Sequence, residues 1–266
     1  MKRFLTKSLV VASIFVGAQT AQAVPVDLEL LLATDTSGSV DGTDFALRRS
    51  GVEAAFRSAA VINAIQSGAI GSIAVALWDF ATGSTVAVDW TLISDAASSN
   101  AFADAVAAAP RGGTGIQDGQ VALLGAALAS LNGNDFEGAR AVLDINSEGA
   151  ESVACSFSQL NCVPLQDARD AFLAGGGDAI NAIWMNDRDF FGLDPADLIN
   201  AFEYGALNVI GGAGSFQVFA ATNEDFIEAI VDKIVREIRP VPEPGTLALI
   251  AIALAGIGGL ARRRSA

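Results

Sequence analysis

Asp35, Thr36, Ser37 and Ser39 place four oxygen-bearing side chains within five positions, directly after the apolar run Leu30-Leu31-Leu32-Ala33. Gly38 would by itself let the chain turn, so a carboxylate and three hydroxyls are more polar chemistry than a turn needs. Two further loops are polar in a matching way: Gly112-Gly113-Thr114 and Ser147-Glu148-Gly149. Hydroxyl and carboxylate oxygens without nitrogen or sulfur describe a hard-cation site, for Mg²⁺ or Mn²⁺ rather than zinc or copper. Two serines spaced by two face one ion if the loop curls around it. So few formal charges would leave the ion electron-poor and open to an anionic oxygen from outside. The alternative for the same residues is hydroxyls that cap loops and helix starts, with no metal.

Composition removes whole classes of function. The chain has no histidine, which excludes Ser-His-Asp and Cys-His catalysis and histidine-ligated zinc. Two cysteines, Cys155 and Cys162, cannot make a thiolate zinc site, and in an exported chain they read as a disulfide. A strand-end Asp35 beside Mg²⁺ also suggests a phosphoryl-accepting nucleophile. Against that, a haloacid dehalogenase-like pattern wants a second Asp where Ser37 stands. The one lysine between the two ends, Lys233, falls on the last helix. The expectation is a binding protein and not an enzyme.

The ends carry addresses. Residues 1–23 have a basic start, an apolar middle and Ala21-Gln22-Ala23, the pattern of a secretory signal peptide cleaved after Ala23. An N-terminal membrane anchor is the alternative, for which the apolar run is short. Residues 241–266 give Pro242-Glu243-Pro244, an apolar run from Thr246 to Leu260, then Arg262-Arg263-Arg264. Physically this is a marginal transmembrane helix with a basic stop. In order and spacing it resembles the PEP-CTERM sorting tail of Gram-negative bacteria. That resemblance implies an exosortase-type protease as partner, transient inner-membrane anchoring, and release to the cell surface or matrix; a permanent single-pass anchor is the alternative. Without its ends the chain keeps ten basic against 29 acidic residues, a net charge of −19. Nothing basic remains to track phosphates, so nucleic acid is excluded as a partner and cations are favoured.

The elements that must position the polar loops follow from periodicity. Residues 27–34 read as a strand buried on both faces. Asp41 caps a helix whose apolar stripe is Phe45, Val52, Ala55, Phe56 and Ala59. Residues 71–93 give two strands with a turn at Gly83-Ser84 and a possible short third strand at 86–90. A helix stops before Pro110. The next helix turns Ile116, Val121, Leu124, Leu128 and Leu131 inward. Strand 139–146, helix 163–174, strand 178–185, a short helix around 195–204, a possible strand at 206–210 and strand 215–221 follow. The last helix, 224–238, buries Ile227, Ile230, Ile234 and Ile238. Strand–helix alternation of this kind predicts one α/β domain over 24–240, doubly wound, with a mostly parallel sheet and helices on both faces.

In such sheets ligands sit at the carboxyl ends of the strands, where the three polar loops fall. Asp-x-Ser-x-Ser after the first buried strand, a glycine-flanked Thr in a second loop and an acid-Gly in a third resemble the von Willebrand factor A domain and its metal-ion-dependent adhesion site. Residues 88–95, 178–185 and 208–238 are similar to a bacterial, functionally uncharacterised branch of that superfamily. The resemblance implies Ser37 and Ser39 as direct ligands, Asp35 as ligand directly or through water, and Thr114 as ligand in one state of the site. It also implies a partner, protein or polysaccharide, that offers a carboxylate. Glu148 departs from the pattern, which has Asp there; one extra methylene is much for Mg²⁺, which tolerates little distortion. Asp144 sits too early in its strand to substitute. A structural matrix protein with a vestigial site is the reading that this departure keeps open.

Overall fold

The structure is a computed structural model and describes residues 23–185, 201–220 and 223–239. The expected signal peptide through residue 22, the C-terminal tail with its expected transmembrane helix, and most of the expected 195–204 helix lie outside these residues.

After β1 (Val24–Val26), β2 (Leu28–Asp35) runs with all eight residues buried. It lies mid-sheet, parallel to β3 (Ile73–Phe80) along one edge and β6 (Ala141–Ser147) along the other, and helices cover both its faces. β4 (Ser84–Ile93) returns antiparallel from β3 and forms one edge. β7 (Ala179–Met185) adds parallel to β6, and β8 (Gly211–Gly212) and β9 (Gln217–Ala220) both pair with β7, giving the order β4-β3-β2-β6-β7-β8. β1 pairs with β5 (Phe136–Gly138) in a separate two-stranded sheet.

One face is covered by α1 (Gly42–Arg57), α2 (Ala59–Gln66), α3 (Ala96–Ala108) and α7 (Asn223–Ile238). The other is covered by α4 (Gln120–Leu131), α5 (Val163–Ala174) and α6 (Ala201–Asn208). Even-numbered β2 residues Leu28, Leu30 and Leu32 enter the first core, and Leu31 and Ala33 the second, as a period of two requires. This is the doubly wound α/β architecture that the alternation predicts.

Several local expectations are corrected. The helix after Asp41 breaks at Ser58, whose Oγ accepts from Val61 N at 3.2 Å and caps α2; Ala59, just past the break, is exposed. The third strand at 86–90 is the interior of β4, where register shifts opposite Val75–Trp78 break the alternation. Ile116 is 77% exposed in the loop before α4. The expected strand at 206–210 is mostly the end of α6. In α7 Ile227 faces outward at 38% exposure and Phe226 takes its place in the core with Ile230, Ile234 and Ile238. Trp184 and Trp78 are core residues, as packing rather than ligand binding demands.

Candidate metal centre

β2 delivers Asp35 at its last position, fully buried. Its Oδ1 accepts the Ser37 N–H at 2.8 Å, a turn that folds the loop back over the carboxylate. The Ser37 and Ser39 hydroxyls are then 3.2 Å apart, so the two serines do face one point. Arg111 holds this loop from outside: its Nη2 donates to Thr36 O at 3.0 Å, Ser37 O at 3.2 Å and Val40 O at 2.7 Å. The Thr36 hydroxyl lies 3.0 Å from both Phe80 O and Gly112 O, tying the first polar loop to the second. Gly113, at φ +84°, is required there, because a Cβ would run into Thr36 Oγ1.

Thr114 is exposed and its backbone is docked on the β3–β4 turn, with N donating to Gly83 O at 3.2 Å and O accepting from Gly83 N at 2.9 Å. It reaches the same end of the sheet, but no side-chain hydrogen bond joins it to Asp35, Ser37 or Ser39 among the described residues. Glu148 does something else with its extra length. Its Oε2 pairs with Arg48 Nη2, both side chains being buried. Arg48 Nη1 in turn donates to Asp35 O at 2.9 Å. A guanidinium with no exposed surface therefore sits directly behind the first loop, linking it to the third.

The residue of the third loop that touches Asp35 is Ser147. Its Oγ lies 3.1 Å from Asp35 Oδ2 and 3.0 Å from Asp118 Oδ2. Asp118 was not a sequence candidate, and Ser147 only a loop member. Asp118 precedes a helix, where an acid is ordinarily read as a cap; yet α4 takes Gly119 as N-cap with no side-chain cap bond. Its position four residues after Thr114 was the available signal. Burial first, and then the Asp35 charge, push the Asp118 carboxyl well above the ordinary range. Its Oδ1 has no hydrogen-bond partner among the described residues.

Ser147 has one hydroxyl hydrogen and two carboxylate neighbours, so the cluster has more acceptors than donors. A proton on Asp118 or a cation would relieve that excess. The donors are all hard oxygens, and one buried carboxylate oxygen is unspent; Mg²⁺ or Mn²⁺ fits this set. Among the described residues no three carboxylates, cysteines or histidines converge on a metal cluster.

The surrounding loop is fixed by other bonds. Glu151, buried, accepts from Val121 N at 2.7 Å and from Val153 N and Ala154 N at 2.7 and 2.9 Å. Cys155 and Cys162 form a disulfide that joins this loop to the start of α5.

A serine-rich turn after the central strand of a doubly wound sheet, closed by two further polar loops, defines the von Willebrand factor A-type fold. Solved structures share it. A von Willebrand factor type A protein from Catenulispora acidiphila is 13% identical over 80% of this chain and 43% of its own, at a TM-score of 0.54. The pilus adhesin SpaC from Lactobacillus rhamnosus GG is 14% identical over 83% and 31%, at 0.52. Proximal thread matrix protein 1 from the mussel byssus is 12% identical over 81% and 49%, also at 0.52. This chain thus spans less than half the length of each. No curated protein matches it.

Within that class the chain belongs to the family described as protein of unknown function DUF1194, whose model matches residues 25–242. Residues 240–264 match the PEP-CTERM protein-sorting motif, which marks a secreted, surface-sorted protein.

Proposed function

We propose that this protein is a binding module, residues 24–240, exported by the signal peptide of residues 1–23 and sorted by the tail of residues 241–266 to the surface or matrix of a Gram-negative bacterium. In this reading Asp35, Ser37 and Ser39 hold Mg²⁺ or Mn²⁺, and the ion takes a carboxylate from a protein or polysaccharide partner. Thr114 joins in one state of the site. Asp118 and Ser147 act with Asp35 at the inner side, and Glu148 contributes through Arg48 rather than by direct reach. The bound cation would supply a Lewis-acidic point with an open position. The protein supplies the rigid oxygens around it. The observation that carries the reading is the buried Asp35 carboxylate beneath two converging serine hydroxyls at the mouth of the sheet. Solved proteins of this fold that are named as an adhesin and a matrix protein support an extracellular binding role. No reacting group for turnover is part of the proposal.

Calorimetric titration of the purified protein with Mg²⁺ and Mn²⁺ tests it. Saturable binding is expected, lost in Ser37→Ala, strongly weakened in Asp118→Asn and changed less in Glu148→Gln. Absence of binding by a folded protein, with and without a free carboxylate such as acetate, would reject it. A structural matrix role with a vestigial site is the second reading, and the Arg48–Glu148 pair favours it, since it places a fixed positive charge where the third acidic loop meets the first.

A further inference from the structure

Away from the cation loops, Lys233 and Glu237 lie one turn apart on α7 and meet Asp144, midway along β6. Asp144 is in register with Leu32 of β2 and Asn181 of β7, so it stands in the middle of the sheet. Lys233 and Glu237 are 1% exposed and Asp144 and Asn181 are 2% exposed. Lys233 Nζ is in direct contact with Asp144 Oδ1 and lies 2.5 Å from Glu237 Oε1. The Phe216 ring closes the site 5.5 Å from the amine. Asn181 has no spare end: Nδ2 donates to Glu237 Oε1 at 3.0 Å and Oδ1 accepts Phe216 N–H at 2.9 Å. Asp144 accepts no hydrogen bond from other described groups.

As an ion cluster this is a poor design. Two carboxylates share one ammonium where water is excluded, and desolvation of buried ions costs as much as their attraction returns unless every lone pair is satisfied. As a reaction site it is well made. A primary amine touches a carboxyl group in a buried site between helix and sheet, and a second carboxyl group touches the amine. Burial, and then the Asp144 charge, push Glu237 up to about 8, so it carries a proton at neutral pH. Burial lowers the Lys233 pKa, but Asp144 and Glu237 raise it more, so the resting amine is an ammonium.

We propose that Lys233 and Asp144 are joined by an intramolecular amide bond, formed without any other protein, with Glu237 as the proton carrier. The Lys233 ammonium first passes a proton to the Asp144 carboxylate, a transfer that removes two opposite charges from a dry site. The neutral Nζ then adds to Asp144 Cγ, forming the C–N bond as the carbonyl pair moves onto oxygen. Glu237 gives its own proton to the departing Asp144 oxygen and takes the second amine proton on Oε1 in its place. The C–O bond breaks and water leaves. Its oxygen comes from Asp144, one hydrogen from the ammonium by way of the Asp144 carboxylate and one from Glu237, which regains a proton from the amine and ends as it began. Fixed contact between nucleophile and acyl carbon is the source of rate, since such placement gives effective molarities on the order of 10⁵–10⁸ M. Exclusion of water then protects the amide from hydrolysis. The product is a covalent tie between the last helix and the centre of the sheet, suited to a protein that is exported and exposed. It is independent of the cation site.

Intact mass and peptide mapping of the purified full chain test the proposal. The expected mass is that of the processed sequence with its disulfide, less one water, and the digest holds a branched peptide joining Asp144 to Lys233. Lys233→Arg keeps the charge and is expected at full mass. Glu237→Gln, folded by circular dichroism, is expected to remain unlinked. A folded wild-type protein at full mass, water lost at some other residue, or ammonia lost at Asn181 would overturn the assignment. A completely linked Glu237→Gln would overturn the role of Glu237.

Discussion

Arg48 carries more of the site than any residue of the Asp-x-Ser-x-Ser loop except Asp35. It has no exposed surface, donates to Asp35 O at 2.9 Å and pairs with Glu148. Replacing it by Met keeps the apolar stem but leaves the Glu148 carboxylate without that charge and Asp35 O without that donor. Breaking a buried pair from one side costs roughly 3–5 kcal/mol, so Arg48→Met is expected to lower the unfolding free energy from denaturant titration by that amount. Arg48→Met with Glu148→Met should recover most of it; a double variant no better than the single would show that the pair is not the cause. Arg48 was not legible in the sequence. An arginine in an amphipathic helix reads as solvated, and only the three-dimensional approach of β6 to α1 reveals its partner. Asp35, Ser37 and Ser39 were legible because their types are costly in a strand-end turn without a purpose. Asp118 was hidden by the ordinary expectation that an acid before a helix caps it.

Periodicity works where an element has one uniform environment. β2 is buried at every position and apolar from Leu30 to Ala33 because both its faces are covered, and α7 keeps Ile230, Ile234 and Ile238 on one stripe because it packs along the sheet. It fails where an element ends or turns, as at Ser58, and where a loop shows an apolar residue to solvent, as at Ile116. The three-residue strands β1 and β5 are too short to carry a pattern. The α1–α7 contact depends on a residue that periodicity ignores. A Cβ on Gly51 would lie 2.6 Å from Phe226 Cε1 and 3.3 Å from Ile230 Cγ2, both in the buried core. Gly→Ala inside a helix gains about 1 kcal/mol of propensity, whereas overpacking a tight core costs roughly 1–3 kcal/mol. Phe226 has no exposed surface into which to move, so the clash wins. Gly51→Ala is therefore expected to destabilise the protein by about 1 kcal/mol in urea denaturation, and Gly51→Ala with Phe226→Leu to be more stable than Gly51→Ala alone. A stabilised single variant would mean that α7 shifts freely on α1.

At the scale of the whole molecule, the C-terminal end of the domain and the candidate cation site lie at opposite ends of the sheet. The strands run from the start of β6 at Ala141, where Arg140 Nη1 donates to Arg239 O at 3.2 Å, to Ser147 beside Asp35. Arg239, the last described residue before the sorting motif, thus lies at the end of the sheet opposite the candidate cation site, at roughly 3.3 Å per residue of β6 between them. Between these ends α7 is held to the sheet by the cluster of Lys233, Asp144, Glu237 and Asn181, with Arg140 nearby in charge. This cluster gives stability a pH dependence whose sign is fixed. Glu237 titrates near 8 in the fold against the ordinary value of 4.5, and burial is the first cause whether Lys233 is an ammonium or an amide. The folded protein keeps a proton that the unfolded chain releases, so this contribution is complete below about pH 4.5 and is lost as pH rises through 8. The slope reaches at most about 1.4 kcal/mol per pH unit. The net charge of −19 on residues 24–240 pushes the same way, because self-repulsion grows as carboxylates ionise. Salt distinguishes the two, since it screens surface repulsion and barely touches a buried group. Melting temperatures measured from pH 5 to 8 in high salt are expected to fall for the wild type and to stay flatter for Glu237→Gln, which cannot ionise. Equal slopes for the two proteins would place the pH dependence on the surface and free α7 from this control.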